Sequence, residues 1–106
     1  MHDGTINQAD IFLSHIVPII TNASVFKKNG ALFITWDEGS GSDEGNNPIG
    51  MIMQSPFMKK GYTNTIRYSH LSLLKTIEEI FHLSPLLGFA NDAQVHDLSD
   101  FFRINK

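Results

Sequence analysis

The chain has no cysteine, which excludes disulfides, thiolate zinc sites and a cysteine nucleophile. Basic residues are also in deficit. Eight Lys and Arg stand against eleven Asp and Glu, a formal net charge of −3, so the basic stripe of a nucleic-acid binder is missing. No apolar run approaches the ~20 residues needed to cross a bilayer, because Ser14, His15 and Pro18 interrupt the strongest one. The first residues show no basic-then-apolar leader. Internal repeats are absent, as are the GxSxG elbow of α/β-hydrolases and the GxxxxGK[ST] phosphate cradle. What remains is an ordinary globular composition, 42% hydrophobic over 106 residues, enough for one small domain.

Apolar periodicity supplies the elements. Over residues 8–22, Ile11, Phe12, Ile16, Ile19 and Ile20 recur near a helical period, with Asn7 or Asp10 as the cap and Pro18 weakening the last turn. Lys27 to Gly30 reads as a polar turn. ALFITW, residues 31–36, is aromatic and β-branched with almost no polarity, which suits a strand covered on both faces in a partly parallel sheet. A glycine-rich acidic loop follows, then a second apolar run over 49–55, stopped by Pro56. Residues 70–82 form the clearest helix, with Leu71, Leu74, Ile77 and Phe81 on one stripe and Ser69 as its cap. A short terminal helix is expected over 97–102. The order is helix, strand, loop, strand, helix, an α/β pattern with too few strands for an independent sheet.

Asp37 and Glu38 stand where the first strand ends. The carboxyl ends of strands gather ligands in open α/β sheets, and paired carboxylates suit hard divalent cations. A solvated loop after a strand accounts for the same two residues. An EF-hand does not: counted from Asp37, the positions that need oxygen ligands fall on Gly39, Gly41 and Pro48. Asp43 and Glu44 read as loop solvation. His70 stands at the expected helix start, where positive dipole charge disfavours a cationic side chain, and suits a ligand or acceptor role. His2 lies in the MHDG turn, and for either histidine a purely structural role is the competing reading. His15, His82 and His96 carry weaker signals.

Three segments taken together, MHDGTINQADIFL, ALFITWDEG and SPFMKKGYTNTIRYSHLSLLKTIEEIFHL, resemble the C-terminal part of the phosphoesterase family. That family includes bacterial acid phosphatases and phospholipases C built on an alkaline-phosphatase-like sandwich. The resemblance implies a metal-dependent hydrolase of phosphate esters, in which a serine or threonine attacks phosphorus beside a divalent metal ion. It places Asp37 and Glu38 as metal ligands. His2 matches a histidine that contacts phosphate or protonates the leaving group, and His70 a recurrent histidine near the site. The stretch SGSDEGNNPIG replaces a longer segment of the phospholipase-like members, which favours the acid-phosphatase-like branch.

The family's other half, with its Glu-Asn metal pair and nucleophile, has no counterpart in these 106 residues. The expectation is therefore a single domain, residues 1–106, or a C-terminal fragment of a larger phosphoesterase, inactive alone, with Met1 an internal methionine. Its expected partners are a phosphate-ester substrate and, through open strand edges, another copy of the chain. The resemblance also implies an exported or periplasmic parent. The alternative is a non-catalytic binding or oligomerising α/β module derived from the same fold.

Overall fold

The computed structural model describes residues 3–39 and 47–103. It is mixed α/β, in the expected order of helix, strand, loop, strand, helix, and it divides into two compact units. The first holds α1 (Ile6–Asn22), α2 (Ser24–Asn29), β1 (Leu32–Thr35) and β2 (Met51–Gln54). The second holds both ends of the acidic loop, α3 (His70–Ile80) and two short 3₁₀ turns, Gly88–Asn91 and Ser99–Phe101.

In the first unit, α1 begins earlier than its apolar pattern does. Thr5 is the cap, rather than Asn7 or Asp10: its Oγ1 accepts the Gln8 N–H at 3.2 Å, while Gln8 Oε1 accepts the Thr5 N–H at 2.7 Å. This reciprocal box satisfies two of the orphan donors of the first turn. The helix runs through Pro18 to Asn22, so the proline does not end it. The polar turn expected at Lys27 to Gly30 is instead the end of α2, which is anchored by buried Phe26. Gly30 closes that helix because a Cβ there would lie 2.5 Å from the Phe26 ring.

The two strands pair antiparallel, with Phe33 opposite Met53 and Ile34 opposite Ile52. This corrects the parallel arrangement that the apolar run suggested. Antiparallel pairing means that the chain reverses direction between the two strands. At its base Gly39 packs so tightly on Asn47 and Pro48 that a Cβ would meet them at 2.7 and 2.9 Å. Burial along β2 alternates, Met51 and Met53 half-buried and Ile52 and Gln54 exposed, the period-2 signature of a pleated strand. A two-stranded sheet is marginal in water unless another layer covers it. Here α1, with no buried residue, leaves an apolar cleft of about 340 Å³ against the sheet, lined by Leu13, Val17, Leu32 and Ile34 among others.

In the second unit, Ser69 precedes α3 as expected, and Ser72 Oγ accepts the Ser69 N–H at 3.1 Å. The face that α3 buries differs from the expected stripe. Ser72, Thr76 and Glu78 are buried, whereas Ile77, Ile80 and Phe81 are exposed. The reason lies in what docks there. Thr76 Oγ1 donates to Ser72 O at 2.7 Å and accepts the N–H of buried Leu98 at 2.8 Å. The Glu78 carboxylate accepts the Leu87 N–H at 3.2 Å. Backbone donors of the following chain need acceptors once buried, and these polar side chains provide them. The helix ends at Ile80; two residues on, His82 has a left-handed φ of 54°, and Leu83 N–H closes back onto Glu78 O.

The 97–102 segment forms only a 3₁₀ turn, Ser99–Phe101, tied down by Asp100. Tyr62 Oη donates to Asp100 Oδ2 at 2.6 Å, Asn64 Nδ2 donates to the same oxygen at 2.8 Å, and Lys59 Nζ donates to Asp100 O at 2.6 Å. Lys59 N–H to Phe101 O and Arg103 N–H to Phe57 O complete a short antiparallel clasp. The phenol of Tyr62 first, then Asn64 and Lys59, hold the Asp100 carboxyl below its ordinary 3.8, and the same carboxylate raises Tyr62 above its ordinary 10.0. A carboxylate with a depressed folded value stabilises above its unfolded value and loses that contribution as pH falls through the folded one. A phenol with a raised value keeps its contribution below 10.0 and loses it as pH climbs through the higher value. The clasp is therefore at full strength between these limits. Hydrogen-exchange protection of the Lys59 and Arg103 amides should decline as pH falls from 3.8 through the lower folded value while α3 amides persist, and Asp100→Asn should weaken it at neutral pH. Equal loss in both regions would show that Asp100 has no local role.

Candidate functional site

The acidic pair lies in the turn that follows β1. Trp36 packs on Gly50, where a Cβ would stand 2.6 Å from the indole, so only glycine lets the two sides of the loop approach. With Gly39 against Asn47, this close packing fixes the base of the loop on which Asp37 and Glu38 sit. Both acidic residues are exposed. Asp37 Oδ1 accepts the Glu38 N–H at 3.1 Å, an aspartate bonding its own turn, and Oδ2 takes no part in that bond.

The third residue at the turn is His70, first in α3. Its Nε2 lies 2.8 Å from the backbone carbonyl of Asp37. A carbonyl only accepts, so Nε2 carries the proton, and in the neutral ring Nδ1 keeps the lone pair. Thus the structure brings Asp37, Glu38 and His70 to one turn, although the imidazole meets the backbone of Asp37 and not its carboxylate. His2, Ser40, Ser42, Asp43 and Glu44 lie outside the described residues. His15 is exposed on α1, His82 lies in the turn just after α3 and His96 is exposed in the following chain.

Hard oxygen donors on an exposed, backbone-pinned turn fit a divalent cation. They supply part of a shell only. Among the described residues, no three His, Cys, Asp or Glu side chains converge as a metal-holding group. The residues that sequence reasoning missed are the glycines at the loop base and the network around Asp100. The glycine-rich composition of the loop hinted at the former. The latter joins positions 36–41 residues apart and left no local trace.

The family model for the phosphoesterase family matches residues 1–84, which contain the whole of this turn and His70. The chain belongs to the phosphoesterase family. It is 36% identical over 94 residues to a phosphatidylinositol-3-phosphatase of Mycobacterium tuberculosis (strain ATCC 25618 / H37Rv). That match covers 88% of this chain and 29% of the relative, so this phosphoesterase-family chain spans under a third of the relative's length. No solved structure matches it. Of the Asp100 clasp, Lys59, Tyr62 and Asn64 lie inside the part that the family model matches and Asp100 lies beyond it.

Proposed function

We propose that this chain forms the cation-holding side of a metal-dependent phosphoesterase site, with Asp37 and Glu38 as the carboxylate ligands. The observation that carries the reading is the exposed acidic pair on a turn pinned by its own side chain and by His70, inside the region that defines the family. When bound, a divalent ion neutralises charge on the attacking oxygen and the phosphoryl oxygens. The substrate class is a phosphate monoester. The shortened loop after the acidic pair favours the acid-phosphatase-like branch over the phospholipase C type, and the relative acts on a phosphate carried by an inositol lipid. His2 would contact phosphate or serve as general acid. The nucleophile and the remaining metal ligands would come from family sequence that these residues do not include, so the 106-residue chain is inactive by itself.

Two measurements test this. The chain holds one tryptophan, Trp36, directly before the acidic pair, so Tb³⁺ bound there should emit when the indole is excited. No sensitised emission would remove the cation from the turn. Incubated with p-nitrophenyl phosphate and Mg²⁺, Mn²⁺, Zn²⁺ or Ca²⁺, the purified chain should release no nitrophenol. Metal-dependent turnover would overturn its inactivity.

A second reading, a docking or self-associating module, is favoured by α1, whose Ile11, Phe12 and Ile19 are exposed beside an apolar cleft. It predicts concentration-dependent dimers in sedimentation and no cation at Asp37.

A further inference from the structure

The geometry points to His70 as a positioning residue for the acidic turn, acting through the Asp37 carbonyl. The inference rests on the cation reading above and goes beyond it by assigning the imidazole a donor role. Three features carry it. First, Nε2 is 2.8 Å from Asp37 O, and that bond commits the Nε2 proton to the backbone, so the nitrogen that meets the turn acts as a donor. Second, the exposed ring is carried by a fixed stretch of backbone. His70 opens α3, and the helix start is set by Ser69 N–H on Ser72 Oγ, with Ser72 itself buried. Third, Asp37 carries complementary restraints on both parts: its side chain accepts the Glu38 N–H and its main chain accepts the imidazole.

Two adjacent carboxylates converge on one cation only if the turn between them adopts one conformation. Neighbouring side chains on an extended chain point to opposite faces, so a relaxed turn would spread the pair. The Asp37 carbonyl belongs to the peptide that links the two residues. A donor held against that carbonyl by a helix limits rotation of this peptide, and with it the spread of the two carboxylates. Outer partners that orient ligands in this way typically matter by 10–100-fold in metal affinity.

The experiment uses the bonding pattern of the side chains. In glutamine the amide Nε2 is separated from Cβ by the same number of bonds as imidazole Nε2, whereas the asparagine amide corresponds to Nδ1. Tb³⁺ is titrated into wild-type chain and into His70→Ala, His70→Gln and His70→Asn, reading Trp36-sensitised emission, with helix content checked by circular dichroism. The expected result is about 10-fold weaker binding for His70→Ala and His70→Asn, with His70→Gln returning close to wild type. Ring ¹⁵N spectra of the metal-free wild type should show the Nε2–H tautomer, unchanged when the diamagnetic ion La³⁺ is added.

Wild-type affinity in His70→Ala overturns the inference and leaves the cation reading standing. Failure of His70→Gln to recover, or a ¹⁵N shift showing La³⁺ on the ring, overturns it in favour of a ligand role. Absence of sensitised emission from the wild type overturns the cation reading and this inference with it. Because glutamine and asparagine are both polar and tolerated at a helix start, a general folding defect would affect them alike, and a difference between them reports the donor position.

Discussion

Leu98→Ala is expected to abolish cooperative unfolding of the second unit, seen as a urea curve without a pre-transition baseline. Leu98 is 1% exposed, and Ala90 is the other buried apolar residue there among those described. With so few fully buried apolar side chains, each carries a large share of the unit's stability. Truncating a buried leucine costs about 2–5 kcal/mol through lost transfer energy and a residual cavity. A small domain has only about 5 kcal/mol or a little more in total. Thr76→Val separates the polar part of this packing from the apolar part. The substitution preserves shape, removes the hydroxyl that accepts the Leu98 N–H, and leaves that amide buried without its partner. The cost should be about 1–3 kcal/mol, a fall of roughly 1–2 M in the urea midpoint with little change in slope. A midpoint shift within error for both variants would show that the chain after α3 does not dock through Leu98.

The second large effect concerns the acidic turn. Asp37→Asn should weaken Tb³⁺ binding roughly 100-fold, about 2.7 kcal/mol, because the charge count of the ligands sets affinity in oxygen-rich sites. The amide retains an oxygen able to accept the Glu38 N–H, so the local turn survives and the loss reports charge. Glu38→Gln should act in the same direction, and the double variant should abolish sensitised emission. In a longer phosphoesterase that contains this segment, Asp37→Ala should eliminate metal-supported hydrolysis of a phosphate monoester. Wild-type turnover there would remove Asp37 from the site. Salt offers an independent check: raising ionic strength should weaken an exposed carboxylate site progressively, since screening lengths shorten to ~8 Å at physiological salt.

Some of this was legible before any fold was known. The cap at Ser69, the strand before Asp37, the stop at Pro56 and the helix starting at His70 follow from local rules of hydrogen bonding and side-chain period, and the structure has all four. The sequence also identified the family correctly, because TWDEG and SHLSLLKTIE are read within a few residues and need no distant partner. It misplaced what depends on distant neighbours. The apolar run of β1 implied cover on both faces and a parallel partner, whereas the loop closed at Gly39 and Asn47 returns β2 antiparallel. The apolar stripe of α3 promised Ile77 and Phe81 for the core, yet the helix buries Ser72, Thr76 and Glu78. Periodicity records which residues avoid water. It does not record which backbone donors arrive later in the chain and require an acceptor.

The sequence by itself determined the element order and the family, since each is encoded in neighbouring side chains. Only the tertiary structure decided that the His70 ring meets the backbone of Asp37, 33 residues away, and that Asp100 gathers Lys59, Tyr62 and Asn64. Hydrogen bonds of that range are set by where helices and loops come to rest, and no local pattern carries that information.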